Sequence, residues 1–206
     1  GHICPILYVA LAKRGFFPKT ELLRFRQINS LLQGHPSIDI PGIETCAGSL
    51  GQGLSIAVGI ALATKLDNTN THIYCMTSDG ELNEGQTWEA AMLAAKYNLS
   101  NLTWIIDRNN IQISGSTEEI MPLEGLREKL ESFNWYVLEI DGHNIMEIRS
   151  AIRMSKKILN HPTVIIAHTV PGKGVDFMEN KHEWHGKTPS EEEKNKAIRQ
   201  IKKLIN

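Results

Sequence analysis

Short apolar segments rich in β-branched and aromatic residues alternate along the chain with segments of helical pattern. We interpret four of them as buried strands, at residues 71–77, 102–107, 135–140 and 163–169. Helices are predicted between and after them, at residues 88–99, 123–133, 145–159 and 191–205. This alternation predicts an α/β fold, a parallel sheet with helices on both faces. Ligands in such folds bind beyond the carboxyl ends of the strands, so the segments that follow the strands are the first places to look for a site.

Acidic and amide side chains follow two consecutive strands of this predicted sheet. Asp79 comes just after the first strand, and residues 107–111, which include Asn109, come just after the second. Because both segments leave the same edge of the sheet, these side chains can converge on a hard dication such as Mg²⁺ or Ca²⁺. One carboxylate makes a sensible site if a diphosphate adds negative oxygens, and a helix starting near Glu84 would direct its amides toward that group. The simpler alternative, which spacing alone favours, is an ordinary turn and an ordinary loop.

A second unusual segment is the glycine-rich stretch CAGSLGQGLSIAVGIALATKL at residues 46–66. A glycine inside a helix costs about 1 kcal/mol relative to alanine, so Gly51, Gly53 and Gly59 need a reason. Close helix packing would account for Gly59. The cluster from Gly48 to Gly53 fits better with a ligand that approaches bare main chain.

The composition fits one foldable domain and excludes several classes of partner. The chain has 206 residues, 41% hydrophobic and 22% charged, which suits a single domain over residues 1–206. The net charge of -1 gives no reason to expect nucleic acid or a membrane surface, and no apolar run approaches the ~18–20 residues of a membrane helix. Cys4, Cys46 and Cys75 are an odd number without C-x-x-C spacing, so a reducing cytoplasm is expected. The chain opens at Gly1-His2 without a methionine, which suggests a piece of something longer.

Three histidines lie in loops flanked by glycine or proline: His2 in GHICP, His35 in GHPS and His185 in WHGK. A loop histidine is more often a surface residue than a catalytic one, so the pattern alone leaves their roles open. The last of them lies in the longest irregular stretch, residues 170–188. Irregular stretches of this length tend to be functional or disordered.

Four motifs, taken in order, resemble the thiamine-diphosphate-binding domain of the transketolase family. The family's signature, GDG followed after nearly thirty residues by an asparagine pair, has counterparts in SDGELNEGQ at 78–86 and IIDRNNIQISG at 105–115. Upstream lies GHPSIDIPGIETCAGSLGQGLSIAVGIALA at 34–63, and downstream lies GKGVDFMENKHEWHGK at 172–187. The resemblance covers nearly the whole chain. It is strongest to the split form of the enzyme, in which this domain is a separate subunit.

The resemblance implies a site for thiamine diphosphate together with Mg²⁺ or Ca²⁺. Asp79, the side chain of Asn109 and the backbone carbonyl of Ile111 would coordinate the metal, and the diphosphate would supply further ligands. Gly80 and Glu81 would present main-chain groups to the diphosphate.

The resemblance also implies which residues surround the reacting part of the cofactor. His2 and His185 would face the diphosphate and the reaction space, and His35 would face the ketol end of the substrate. Gly48 and Leu50 would pack near the aminopyrimidine or the thiazolium.

The implied reaction is transfer of a two-carbon ketol unit from a ketose phosphate to an aldose phosphate, as in the pentose phosphate pathway. Imidazoles suit the proton transfers, since their pKa lies near working pH. Glu84 would lie near the subunit contact and could join a carboxylate network that links paired sites. Its structural alternative is a first-turn acid that answers the helix dipole.

Three departures from the family pattern suggest that the chain is half of an enzyme. Ser78 stands where the signature usually has its first glycine, and the family's earlier histidine loop is missing ahead of Gly1. The third departure is the lack of the pyrimidine-binding domain, whose glutamate activates the cofactor. We therefore expect the chain to bind the cofactor weakly and to be inactive alone. A C-terminal pyrimidine-binding transketolase subunit would complete it, in a heterotetramer.

Three other functions stay open on the sequence. A related thiamine-diphosphate enzyme, such as 1-deoxyxylulose-5-phosphate synthase or the thiamine-dependent component of pyruvate dehydrogenase, is one, although the GHP, LGQG and WHGK blocks favour transketolase. A non-catalytic truncated paralogue acting as a binding module is the second. Ser78 and the missing start favour it, and the intact Asp79, Asn109, His35 and His185 argue against it. The third is a bare α/β domain without a cofactor.

Overall fold

The structure, a computed structural model, describes residues 1–46 and 48–205. The chain divides into two compact units, Gly1–Gln52 and Gly53–Asn206. Two separate clusters of buried apolar side chains match this division, one in each unit. The prediction of one domain over residues 1–206 stays a prediction.

The smaller unit is built around one helix, α1 (Cys4–Arg14), followed by a 3-10 turn at Lys19–Arg24. The helix ends where Gly15 adopts a left-handed backbone with φ of 87°, which costs glycine no steric penalty. The Tyr8 hydroxyl donates a hydrogen bond of 2.9 Å to the carbonyl of Gln33 and so ties the helix to the following loop. This helix is absent from the sequence prediction, because its exposed side is apolar as well as its buried side and the helical period is blurred.

The larger unit contains the predicted parallel sheet. Four strands form it, in the spatial order β1 (Ile73–Ser78), β2 (Leu102–Arg108), β6 (Thr163–His168) and β5 (Tyr136–Asp141), and β3 (Ile111–Gln112) makes a separate antiparallel hairpin with β4 (Gly115–Ser116). Further 3-10 turns lie at Asp79–Asn83 and His182–Trp184. The helices and strands in chain order are α2 (Gln52–Leu66), β1 (Ile73–Ser78), α3 (Gly85–Lys96), β2 (Leu102–Arg108), β3 (Ile111–Gln112), β4 (Gly115–Ser116), α4 (Thr117–Ile120), α5 (Leu126–Ser132), β5 (Tyr136–Asp141), α6 (Ile145–Ser155), β6 (Thr163–His168) and α7 (Glu191–Ile205).

Helices cover both faces of the central strands, as the sequence predicts. Strand side chains alternate between the two faces. On one face, Trp104 and Ile106 pack in a cluster with buried residues of α2, α3 and α5. On the other face, Ile165 and Ala167 are buried, and α6 packs against β5 and β6. The α/β fold class is therefore confirmed.

The boundaries of the predicted elements differ from the observed ones by a few residues. All four strands are confirmed to within two residues, and the helix at 191–205 is confirmed at both ends. The helix predicted at 88–99 is α3, which ends at Lys96 because Asn98 adopts a left-handed φ of 46° just beyond it. The helix predicted at 123–133 begins only at Leu126, since Gly125 before it has an extended backbone with φ of -82° and ψ of 104°. The helix predicted at 145–159 ends at Ser155.

Among the described residues, 1–46 and 48–205, no helix has the length and apolar character that crossing a bilayer requires.

Candidate functional site

The end of β1 delivers Asp79 to the carboxyl edge of the sheet. Ser78 has an extended backbone, with φ of -121° and ψ of 176°, and caps the 3-10 turn that follows. Its hydroxyl accepts from the amide of Glu81, while the Glu81 carboxylate accepts from the amide of Ser78 at 3.2 Å. This reciprocal capping box fixes the start of the turn and places Asp79 at its first position.

Asp79 is fully buried, yet one of its two carboxylate oxygens has no partner among the described residues. Oδ2 accepts from Arg108 Nη1 at 2.8 Å and from the amide of Asn110 at 2.5 Å. Oδ1 is buried and accepts no hydrogen bond in the described structure. A buried carboxylate oxygen without a donor is costly, so this oxygen is suited to accept a cationic or hydrogen-bonding ligand.

The two strand ends converge as the sequence predicts. The register of the parallel pair sets Ser78 beside Asp107, so the chain leaves both strands at one level. The amide of Asn110, next to Asn109, donates directly to Asp79. Asn109 is half-buried, and its Oδ1 accepts from the amide of Ile111 at 3.0 Å. Asp79, Asn109 and Ile111 therefore lie on adjoining turns.

Gly80 and Glu81 continue from Asp79 into the same edge. Gly80 does not have a positive φ, and a Cβ there would meet only the side chain of Gln112, at 3.9 Å. Neither backbone conformation nor crowding inside this unit thus requires glycine at this position. Gln112 itself has a buried Nε2 without a hydrogen-bond partner in the described structure, a second polar atom left open beside the site.

Arg108 is the principal residue of this region that the sequence did not predict. Its side chain is 2% exposed and contacts four groups at hydrogen-bond distance: Asp79, Thr117, Glu118 and Glu124. In the sequence it is merely the residue before an asparagine pair. The sequence shows only a charged residue at the end of an apolar strand, and a solvated loop residue would give the same pattern.

The electrostatics of the buried pair follow from its burial. Burial raises the pKa of Asp79 above its ordinary value, against the opposing effect of the Arg108 guanidinium and the Asn110 amide. Burial also opposes the charge on Arg108, but hydrogen bonds to Glu124 and Asp79 outweigh it and raise the pKa of the guanidinium. Arg108 is therefore cationic at every relevant pH.

Glu84 lies at the residue before α3 rather than in its first turn. It is exposed, has an extended backbone and makes no side-chain capping hydrogen bond. The first turn of α3 carries no acidic residue. The structural alternative for Glu84, a first-turn acid, is thus wrong in its placement.

The predicted residues of the smaller unit form a group of their own. The rings of His2 and His35 lie 6.1 Å apart between centroids, and a Cβ on Gly48 would come within 3.3 Å of the His35 ring. Gly48 therefore has a packing reason to be glycine, and Leu50 nearby in sequence is half-buried. Gly51 has a φ of 78°, a conformation that favours glycine.

His185 belongs to the larger unit and follows the 3-10 turn at His182–Trp184. It is exposed, and its amide donates to the carbonyl of His182 at 2.9 Å. Trp184 anchors this turn, since its indole donates to the carbonyl of Phe177 at 2.9 Å. His185 thus lies on a segment of the larger unit other than the Asp79 turn and the loop at 109–111, whereas Glu84 directly follows the Asp79 turn and its amide donates to the carbonyl of Glu81 at 3.2 Å.

The donor set fits a hard dication held jointly with an anionic ligand. Within the part of the chain that the structure describes, no three histidine, cysteine or acidic side chains are grouped as for an all-protein metal centre. What the turn offers is one open carboxylate oxygen on Asp79, with the amide oxygen of Asn109 nearby. Mg²⁺ is usually bound by one or two carboxylates together with phosphate oxygens, and this set matches that pattern.

Comparison with known proteins places the chain in one family. A family model described as "Transketolase, thiamine diphosphate binding domain" matches residues 1–203. An apulose-4-phosphate transketolase subunit of Phocaeicola vulgatus is 42% identical over 205 residues, which cover 100% of this chain and 73% of that protein. The 6-deoxy-6-sulfo-D-fructose transketolase subunit SqwG of a Clostridium species is 42% identical over 204 residues, covering 98% of this chain and 74% of that one.

Solved structures agree with the sequence relatives. The crystal structure of transketolase from Campylobacter jejuni superimposes with a TM-score of 0.84 at 37% identity, over 89% of this chain and 30% of that chain. The chain thus spans about three quarters of the two transketolase subunits and under a third of this longer transketolase. With nearly its whole length matched by the family model and its fold by the solved structure, the chain belongs to the transketolase family and carries that family's thiamine diphosphate binding domain.

Proposed function

We propose that the chain is the thiamine-diphosphate-binding subunit of a two-subunit transketolase, which transfers a two-carbon ketol unit between a ketose phosphate and an aldose phosphate. The observation that carries the proposal is the buried Oδ1 of Asp79, which has no partner among the described residues, at the carboxyl edge of the sheet. In a domain of this family, that oxygen is the natural ligand for the metal that accompanies the diphosphate.

Three residues would hold the metal, Mg²⁺ or Ca²⁺. Asp79 would contribute Oδ1, because its other oxygen is taken by Arg108 and Asn110. Asn109 would contribute its amide oxygen, which has a second lone pair beyond the one that accepts the Ile111 amide. The backbone carbonyl of Ile111 would complete the protein's share.

The main chain around Gly80 would bind the diphosphate. Gly80 and Glu81 follow Asp79 directly, and a Cβ at Gly80 is not excluded by the chain's own packing. A ligand is then the reason for bare backbone there. The amino end of α3, at Gly85, adds a partial positive charge from a helix of 12 residues.

The histidines would bind and orient the sugar and move its protons. His35 would face the ketol end of the substrate, and His2 and His185 the diphosphate and the reaction space. Bound thiamine diphosphate supplies the carbanion chemistry, while the imidazoles hold or accept protons on the sugar hydroxyls. Gly48 and Leu50 would line the ring-binding part of the site.

A second subunit is part of the proposal. Two relatives that match nearly the whole chain are named as transketolase subunits, and such a name implies a second subunit. We assign to the partner the pyrimidine-binding domain and to the pair a heterotetramer, with Glu84 near the contact. The apolar side chains that α3 and the residue after it leave exposed, Met92, Leu93 and Tyr97, suit a surface that a partner covers.

The sugar specificity is proposed only as a class. The two relatives are named for different sugars, apulose-4-phosphate and 6-deoxy-6-sulfo-D-fructose. The first sugar carries a phosphate and the second a sulfo group, so the anionic group differs between the relatives. For this chain we propose a phosphorylated ketose donor and a phosphorylated aldose acceptor. Action in the pentose phosphate pathway and in the cytoplasm stays a prediction.

The test is calorimetric titration of thiamine diphosphate into the chain, with and without Mg²⁺, and with and without a candidate pyrimidine-binding partner. Asp79→Asn, which keeps the shape of the side chain, is compared with Asp67→Ala, which removes an exposed acid beyond α2. Metal-dependent binding is expected in the parent chain and in Asp67→Ala, stronger with the partner, and lost in Asp79→Asn. A ketol-transfer assay on the paired subunits then follows.

The proposal fails if folded parent protein binds no thiamine diphosphate with Mg²⁺ and partner present. Binding that does not depend on the metal, or that Asp79→Asn leaves intact, would remove the metal assignment and keep the cofactor assignment.

A further inference from the structure

We propose that Arg108 is a positioning residue for the metal site, an inference that rests on the proposed function. It donates a hydrogen bond to one oxygen of the Asp79 carboxylate and stabilises the loop that carries Asn109 and Ile111. The other oxygen of Asp79 is thereby left free for the dication. Arg108 acts through these groups and does not itself touch the metal or the diphosphate.

The two oxygens of Asp79 have different surroundings. Arg108 Nη1 binds Oδ2 at 2.8 Å, and the amide of Asn110 shares that same oxygen. Two donors on one oxygen, and none from the described residues on the other, leave the carboxylate with a single open oxygen. A carboxylate without the arginine could turn about its terminal torsion, since such torsions are broad and roughly two-fold.

Arg108 is also linked to the loop that carries the other two proposed ligands. It is the last residue of β2 and directly precedes Asn109. From there its Nη1 donates to the hydroxyl of Thr117 at 2.8 Å, just past the β3–β4 hairpin. The amide of Thr117 donates back to the carbonyl of Asn110 at 3.0 Å. Arg108 therefore ties together the two ends of the segment that carries Asn109 and Ile111.

Arginine is the side chain with donors enough for this role. Its Nη2 donates to Glu118 and to Glu124, each at 2.7 Å, while Nη1 serves Asp79 and Thr117. A guanidinium offers five donors in a rigid plane, whereas a lysine ammonium offers three around one point. The elements held by this one side chain are the turn after β1, the end of β2, α4 and the segment before α5.

The formal charge of the cluster that Arg108 forms with its three carboxylate partners also supports this role. One guanidinium faces the three carboxylates of Asp79, Glu118 and Glu124, which leaves a formal charge of two negatives. A cation beside Asp79 would offset part of that charge. Arg108 therefore organises the carboxylates without supplying the whole counter-charge.

The test measures metal affinity in three variants of the full chain with its partner subunit. Binding of Mn²⁺ in the presence of saturating thiamine diphosphate is followed by the loss of the free-ion electron paramagnetic resonance signal. Arg108→Met removes the guanidinium, Arg108→Lys keeps the charge, and Arg127→Met is the matched control. Arg127 also pairs with two glutamates, Glu131 and Glu139, but it is 40% exposed and belongs to α5.

Loss of an outer-shell partner of a metal ligand typically costs 10–100-fold in metal affinity, and we expect about that loss in Arg108→Met. Arg108→Lys should recover part of it, because the ammonium can still reach one or two partners. Arg127→Met should bind as the parent does. Excess Mn²⁺ should restore cofactor binding in Arg108→Met, which a general loss of structure would not allow.

The results of this test distinguish a failure of this inference from a failure of the proposed function. If the folded parent chain with its partner binds no thiamine diphosphate, both are overturned. If it binds the cofactor without dependence on the metal, the metal assignment and this inference are overturned and the cofactor assignment stands. If the parent binds and Arg108→Met binds equally or more tightly, Arg108 only repels the cation and this inference alone is overturned. If Arg108→Met does not fold, Arg108→Lys decides: unchanged metal affinity in that folded variant overturns the inference, and a partial loss upholds it.

Discussion

Replacing Arg108 by methionine in the metal-free chain should leave Asp79 as a buried carboxylate without a cationic partner. The pair dominates the cost, because its side chains are 2% and 0% exposed. Glu118 and Glu124 are 40% and 63% exposed, and such pairs contribute about 0–1 kcal/mol each. Removing one partner of a buried pair costs about 3–5 kcal/mol, which is the expected destabilisation.

This cost has a physical ceiling, because an unpaired carboxyl can take up a proton instead of staying charged. From the ordinary value of 3.8, neutralising Asp79 at pH 7 costs about 4.4 kcal/mol. This upper limit of about 4.4 kcal/mol lies within the range of about 3–5 kcal/mol expected for loss of one partner of the buried pair. Asp79→Asn should therefore act with opposite signs in the two backgrounds: it destabilises the parent chain by about 1–3 kcal/mol, and it stabilises Arg108→Met by removing the unpaired charge.

The assay is equilibrium unfolding in urea at pH 7 with a chelator present, on the parent, both single variants and the double variant. All four tryptophans, Trp88, Trp104, Trp135 and Trp184, belong to the larger unit, so their fluorescence follows that unit without a signal from the smaller one. We expect a coupling free energy of at least about 2 kcal/mol between the two positions. Additive effects, within about 0.5 kcal/mol, would refute the account of a coupled buried pair.

Three individual residues give four further outcomes. Ser78→Gly should lower the free energy of unfolding in urea by about 0.5–1 kcal/mol, because the unfolded backbone becomes freer and the cap is lost. Metal-dependent cofactor binding should stay unchanged in this variant, and lost binding would contradict the prediction. Gly51→Ala should cost about 1–2 kcal/mol by circular dichroism, because its φ is 78°, and an unchanged midpoint would count against that conformation. Burial raises the pKa of Cys75 to about 12, so a disulfide reagent at pH 8 should modify the exposed Cys46 and reach Cys75 only after unfolding; early labelling of Cys75 would contradict its burial. For the same reason the unfolded chain releases the Cys75 proton first, and stability should fall as pH rises from about 9 towards 12.

The sequence predicted that the turn of Asp79 and the loop of Asn109 leave the same edge of the sheet, because that placement follows from topology alone. Parallel neighbouring strands end at one edge, and alternation of strand and helix is enough to infer parallel strands. The sequence could not show Arg108 as part of the site. Its partners Glu118 and Glu124 lie in a connection whose path depends on the β3–β4 hairpin, and two-residue strands leave no periodic pattern.

The separation of the chain into two units was equally hidden from sequence patterns. Residues 1–52 contain a helix, α1, whose exposed positions include apolar side chains such as Ile6 and Leu7. Such apolar exposure blurs the helical period on which a prediction of α1 would depend. The same exposure is expected wherever another chain, or the rest of a longer one, covers the surface.

Ser78 is the residue on which the non-catalytic alternative depended, and its structure removes that support. A glycine is required at a turn by a positive φ or by close approach of another group. The backbone of Ser78 makes no such demand, since its φ of -121° suits any residue. Its hydroxyl instead completes a capping box with Glu81, which fixes the turn at the position where Asp79 enters the buried cluster. The serine is therefore compatible with the geometry of the proposed metal ligand, and its presence is no sign of a decayed site.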